Sequence, residues 1–214
     1  MANNKNLKTG LIAIILFILI VALSLAYYKY SDRFNFLQLG KKSGSQLVTG
    51  DFDPKIISPL LKEKKYDEAR NILENYKKKG VVTPELYRLL YVVNMYIGDN
   101  TAALEAIKVY VQLNSSLSKY WVEYITLEIN KGTNKTVIDE IYKRAFEGVR
   151  ANKSKMELVN MYTNYSSFLR GYNDFTGAIK YLELAKELNL AQANFYDDEI
   201  RFIKEEQLKN NIPF

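Results

Sequence analysis

No cysteine and no histidine occur among the 214 residues. That absence removes the usual zinc, haem and iron–sulfur ligands, thiol nucleophiles, and every triad that needs an imidazole. Disulfides are excluded too, so redox chemistry says nothing about compartment. Proline (4) and glycine (10) are scarce, which leaves few breaks in regular structure. Against one Trp stand 17 Tyr and 10 Phe, and apolar residues make up 48% of the chain, enough to bury a core. The length allows one compact domain plus an extension.

The remaining routes to catalysis are also thin. Asp139–Glu140, Asp197–Asp198 and Asp51/Asp53 are paired carboxylates, but adjacent residues on a helix point in different directions and do not converge on a substrate. Ser116-Leu117-Ser118-Lys119 fits an S-x-x-K pattern without a companion motif. No glycine cluster precedes a helix in the phosphate-cradling manner. The expectation is a non-enzyme with no catalytic residue, no metal site and no cofactor. Four Asn-x-Ser/Thr sequons, at Asn114, Asn134, Asn152 and Asn164, read as accidents of an Asn-rich chain.

The net charge of +6 is unevenly placed. Residues 1–50 carry Lys5, Lys8, Lys29, Arg33, Lys41 and Lys42 against Asp32 alone, while residues 51–214 carry 24 basic and 23 acidic residues. The basic excess therefore flanks an apolar run, where it serves topology and headgroup contact. The rest of the chain is nearly neutral, which argues against a nucleic-acid footprint.

That run is LIAIILFILIVALSLAYY, Leu11–Tyr28, eighteen residues without a charge. As a helix it would span about 27 Å, close to the hydrocarbon thickness of a bilayer. Tyr27, Tyr28 and Tyr30 gather where an interfacial aromatic belt belongs. A single-pass anchor is the expectation. The rival is a cleaved signal peptide, since Ser24-Leu25-Ala26 offers small residues at the required spacing, but the run exceeds the usual 7–15 residues. A bare count of basic residues before and after the span favours a cytoplasmic domain, whereas a short Lys-bearing tail before a first apolar helix acts as a signal-anchor. The reading adopted is export to a periplasmic side, with the cytoplasmic side left open. A tail (1–10), the anchor (11–28) and a juxtamembrane linker (29–51) thus precede a folded region (52–214). The linker holds Gly40, Lys41, Lys42, Ser43, Gly44 and Ser45. About twenty flexible residues reach about 25 Å.

The folded region repeats itself. Tyr66-Asp67-Glu68-Ala69 is followed by Leu73 and Tyr76, and 34 residues later Asn100-Thr101-Ala102-Ala103 is followed by Ile107 and Tyr110. Near the carboxyl end, Asp174-Phe175-Thr176-Gly177-Ala178 is followed by Leu182 and Ala185. Each places a small residue, an apolar one four later and a third contact three later, which is one helical face with room for a close neighbour. A divergent unit lies between, with Trp121, Tyr124, Leu127 and Glu128 ahead of Ile141 to Ala145. Its step from the second unit is 35, Ala103 to Ile138, and the next is 40, Ile138 to Ala178, which suggests a longer turn around Gly148–Lys155. Helix pairs are expected at 54–79, 84–114, 117–149 and 153–190, with a closing helix at 193–209 whose outer face is polar. Asp53-Pro54, Ser58-Pro59 and Thr83-Pro84 read as capped starts, and Gly80, Gly98 and Gly132 as stops.

With these motifs the chain resembles the tetratricopeptide repeat family, and its third unit is similar to the half-a-tetratricopeptide variant. The resemblance covers roughly residues 52–190. It implies an all-α solenoid of about four helical hairpins and a cap, behind the transmembrane helix, that binds proteins through a concave face lined by the first helix of each hairpin. Laid on this chain, the family pattern puts Arg88, Val92, Met95 and Tyr96 on that face from the second unit. It adds Val122, Thr126, Ile129 and Asn130 from the third, and Thr163, Ser167 and Arg170 from the fourth. Met, Tyr and Arg together suit a peptide or helix groove. The implied role is a membrane-anchored scaffold or assembly factor in an envelope complex of a bacterium, such as a periplasmic ring or collar of a flagellar motor. A membrane-bound chaperone or accessory factor for secretion is the alternative.

Overall fold

A computed structural model of the chain describes residues 52–210; the amino tail, the apolar run Leu11–Tyr28 and the linker lie outside the described residues. Among the described residues no helix is long and apolar enough to cross a membrane. A 3-10 turn, Pro54–Ile56, leads into α1 (Ile57–Lys62), followed by α2 (Tyr66–Lys78), α3 (Pro84–Ile97), α4 (Asn100–Leu113), α5 (Ser118–Asn130), α6 (Lys135–Ala151), α7 (Lys155–Gly171) and α8 (Phe175–Leu188). A second 3-10 turn, Leu190–Gln192, precedes α9 (Ala193–Asn210). Successive helices pair as hairpins α1/α2, α3/α4, α5/α6 and α7/α8, and α9 packs on α8. The four hairpins and closing helix thus stand where the repeat pattern puts them.

Local chemistry sets the boundaries. Thr83 accepts a hydrogen bond from the Leu86 amide (3.2 Å) ahead of Pro84, which supplies a helical φ where no amide is needed. Asp99, Asn134, Ser154 and Asp174 cap α4, α6, α7 and α8 in the same way. Ser58 does not cap: it lies inside α1, and Asp53 alone holds that end through the Lys55 amide.

The first helix of every hairpin ends in one motif. A residue with positive φ follows it at Lys64 (58°), Gly98 (83°), Gly132 (86°) and Asn173 (59°). The next amide then reaches back to close the turn, as Lys65 to Leu60 (2.8 Å), Asp99 to Asn94 (2.9 Å), Thr133 to Glu128 (3.0 Å) and Asp174 to Leu169 (3.0 Å). The steps between these left-handed residues are 34, 34 and 41. The seven extra residues of the last step are about two helical turns, so the apolar face is conserved across them.

They do not lengthen the turn, contrary to the expectation around Gly148–Lys155. The turn is three residues, Asn152–Ser154, and the insertion extends α6 and α7 to 17 residues each. Gly148 lies inside α6, where the strap between α4 and α5 crosses so closely that a Cβ there would collide with Ser115. Trp121 pins that strap by donating from Nε1 to the Ser115 carbonyl (2.9 Å).

The close-approach positions Ala69, Ala103 and Ala178 are fully buried, and Ile138 takes the equivalent place in the third hairpin. Aromatic rings fill the adjoining seam. Tyr142 and Phe146 on α6 meet Tyr162, Tyr165 and Phe168 on α7 and Tyr181 on α8, with centroids 4.3–5.7 Å apart for the contacts between helices. Asp139 ties this seam at its edge, accepting from the Tyr165 hydroxyl (2.9 Å) and from Lys135 (2.8 Å).

Candidate protein-binding face

The sequence-derived face residues are related by the same offsets as the folded repeats. Arg88, Val122 and Thr163 form one rank across α3, α5 and α7; Val92, Thr126 and Ser167 form the next; Met95, Ile129 and Arg170 form the third. Each step is 34 and then 41 residues. The same offsets relate the buried Tyr87, Trp121 and Tyr162, one residue and so about 100° around each helix from the first rank. All nine are exposed or half-buried, because Leu90, Tyr124 and Leu169 take the interior. Tyr96 and Asn130 continue the stripe at the carboxyl ends of α3 and α5, both exposed.

The stripes are adjacent. Ser118 at the start of α5 donates its amide to Glu157 of α7 (2.6 Å), and Asn160 reaches the Ser118 hydroxyl (3.5 Å). Between α3 and α5, burial and then the Glu123 carboxylate push the Tyr91 hydroxyl well above its usual range. Hydrogen bonds therefore join α5 to α7 beside this face, and Tyr91 of α3 lies near Glu123 of α5.

Both arginines of the face are paired. Arg88 is half-buried and clamped by Glu85, Nε to Oε2 at 2.8 Å and Nη2 to Oε1 at 2.6 Å; this hydrogen-bonded pair, above all other influences, favours its charged form. Arg170 pairs with Glu206 of α9 (2.7 Å) and lies over the Phe202 ring at 4.8 Å. Sequence reasoning missed Glu85, Phe202 and Glu206, and only Glu85 had a signal, its place three residues before Arg88 on one helix. Tyr96, 63% exposed, is stacked on Tyr66 of α2 (4.7 Å, 3° between planes), so it belongs to the seam with the first hairpin as much as to the face.

The hydroxyls are also committed. Thr126 donates to the Val122 carbonyl (2.8 Å), Thr163 to Val159 (2.8 Å) and Ser167 to Thr163 (3.1 Å), each one turn back on its own helix. Met95 at 41% exposure and Ile129 at 39% stay open beside half-buried Val92 and Val122, together with exposed Tyr96, Thr126, Asn130 and Ser167. Such a surface offers shape and apolar area, not reactive groups. Among the described residues no cluster of carboxylates could hold a metal ion.

No family model matches the chain, and no curated protein matches it. Several solved structures do, two of them as follows. One, MamA, aligns with a TM-score of 0.51 at 17% identity, over 78% of this chain and 95% of that one. The other is the C-terminal part of a TPR repeat-containing protein from Cytophaga hutchinsonii, with a TM-score of 0.46 at 19% identity, over 72% of this chain. This chain spans 61% of that structure. Four hairpins closed by one recurring turn, and a fold shared with MamA, make the chain a tetratricopeptide-type α-solenoid.

Proposed function

We propose that the chain is a protein-binding scaffold or assembly factor that holds a partner segment on the face of α3, α5 and α7. The observation that carries this reading is the exposure of Met95 and Ile129, one rank on α3 and α5, beside half-buried Val92 and Val122. Those side chains stand in register on neighbouring helices, where stability alone favours charged or polar groups. The uncharged run Leu11–Tyr28 supports membrane anchoring with the repeats on the exported side. Anchoring would raise the effective concentration of the face for membrane-associated partners. A structural part in an envelope assembly, such as a collar around a flagellar motor, fits that arrangement. A chaperone or accessory factor for exported proteins is the second reading, favoured by the same open apolar surface.

Photo-crosslinking in intact cells separates them. A benzoylphenylalanine at Thr126 should capture one protein at fixed stoichiometry, while the same group at Glu183, exposed on α8, should not. Many substoichiometric clients at Thr126 would indicate the chaperone, and equal capture at both positions would overturn the binding face. A mature amino terminus at Tyr27 would overturn the anchor.

A further inference from the structure

We infer that the edge of the solenoid formed by the turns between hairpins docks on an anionic phospholipid surface. Ile56, Leu117 and Met156 enter the headgroup layer there, and Lys78, Lys153 and Lys155 meet the phosphates. The inference rests on the membrane anchoring proposed above and gives the folded region a membrane-facing side.

Contacts within the fold bring this edge together. Phe52, where the chain enters the described region, meets Tyr76 near the end of α2 at 5.1 Å between ring centroids. Lys79, beginning the α2/α3 turn, lies over the same ring at 5.7 Å. Arg88 in the second turn of α3 lies beside Tyr120 at the start of α5, and Tyr120 meets Tyr110 near the end of α4 at 4.4 Å. The Ser118 amide donates to Glu157 at the start of α7 (2.6 Å), and Asn152 of the α6/α7 turn donates to the Ser116 carbonyl of the α4/α5 strap (3.3 Å). The entry point and three successive turns therefore share one edge.

That edge holds open cations. Lys78, Lys153 and Lys155 are exposed, and none has an ion-pair partner among the described residues. The nearby carboxylates are engaged: Asp53 by the Lys55 amide, Glu157 by the Ser118 amide and Glu123 by Lys119 (3.9 Å). The turns inside hairpins differ, because there Lys65 pairs with Glu63 (2.7 Å), Lys135 with Asp139 (2.8 Å) and Arg170 with Glu206 (2.7 Å).

Apolar side chains stand among the open lysines: Ile56 at 41% exposure, Leu117 at 36% and Met156 at 58%. A bilayer interface accepts both at once, the apolar groups at the acyl boundary and the ammonium groups at phosphate level. An acidic protein would satisfy the charge as well, but the covalent path favours lipid. The chain reaches this edge from the uncharged run Leu11–Tyr28 through residues 29–51, and about twenty flexible residues extend only about 25 Å. An anchored chain thus presents the edge to lipid at high effective concentration.

The chain has no cysteine, so a single introduced one takes a fluorophore at a known place. The test uses the full-length chain in phosphatidylcholine nanodiscs containing a nitroxide lipid, with or without about 30% phosphatidylglycerol. The label goes on Met156→Cys or on Thr176→Cys, an exposed position beside the α7/α8 turn. Quenching at Met156→Cys should be at least about twofold greater with phosphatidylglycerol than without, and about 500 mM salt should remove the difference. The label at Thr176→Cys should stay unquenched. Lys78→Glu, Lys153→Glu and Lys155→Glu together should abolish the quenching without changing the melting temperature, whereas arginine at the same positions should keep it. Equal quenching at both labels would overturn the edge assignment. Quenching indifferent to phosphatidylglycerol, salt and charge reversal would overturn the pairing with phosphate. An unquenched Met156→Cys label on a chain that stays in the bilayer would overturn the docking and leave the anchor standing. A chain that leaves the bilayer in alkaline carbonate would overturn the anchoring, and this inference with it.

Discussion

Lys64 adopts a backbone conformation that glycine supplies at the two following equivalent positions, Gly98 and Gly132. A side chain with a Cβ in the left-handed region costs about 1–2 kcal/mol, partly offset by the greater freedom glycine has when unfolded. Lys64→Gly should therefore raise stability by about 0.5–1 kcal/mol; a lower thermal midpoint would mean that Lys64 contributes a contact outweighing its strain. Ala178 poses the opposite case. It is fully buried, and its carbonyl accepts the Ser166 hydroxyl from α7 at 2.8 Å, so the two helices lie close there. Ala178→Leu should cost about 1–3 kcal/mol by overpacking. A melt within a degree of the parent would show that the α7/α8 hairpin can open without penalty. The alanine was legible in the sequence because a small residue opened the second helix of three units. Lys64 and Asn173 were not, because nothing in a lysine or an asparagine announces a positive φ.

Among the elements, α6, α7 and α8 share the seam of aromatic rings. Burial first, and then the charge of Asp139, pushes the Tyr142 phenol well above its ordinary value. Burial followed by the hydrogen bond to Asp139 does the same for Tyr165. Both phenols are held neutral in the fold and ionise at the ordinary value of 10.0 once unfolded. Their contribution is thus complete below pH 10 and is lost as the pH rises from there toward the folded-state values. Tyrosinate absorbance and helical circular dichroism should change together above pH 10, and Tyr142→Phe should shift that transition upward. Tyrosine ionisation well ahead of helix loss would show that the seam is not closed to water. The sequence foresaw an insertion ahead of the fourth unit but placed it in a turn. Helical continuation absorbed it instead, because seven residues leave the buried stripe nearly where it was.

At the scale of the molecule, each hairpin is covered only by its neighbours, so the last one needs α9. Tyr196, Ile200 and Ile203 are buried, while Asp198, Arg201 and Glu205 face outward beside exposed Phe195, Phe202 and Leu208, so the outer face of α9 is mixed where the sequence led us to expect a polar one. Truncation after Leu188 removes that cover together with the Glu206 partner of Arg170. The thermal midpoint should fall by about 5 °C or more, with concentration-dependent aggregation from the uncovered face. An unchanged, monomeric melt would show α9 to be an appendage.

The sequence by itself determined the repeat, the hairpin boundaries and which side of each first helix turns outward, because helix periodicity, capping and close packing are local and recur every 34 residues. It could not determine what the outward side chains do once there. Arg88 and Arg170 read as solvent-facing anchors. One is neutralised from within its own helix, and the other by a carboxylate 36 residues further along the chain. The hydroxyls of the face spend their donors on their own backbone. Only the tertiary structure decided that Arg170 is paired and that Met95 and Ile129 stay open, since pairing across repeats depends on which helices the fold sets side by side.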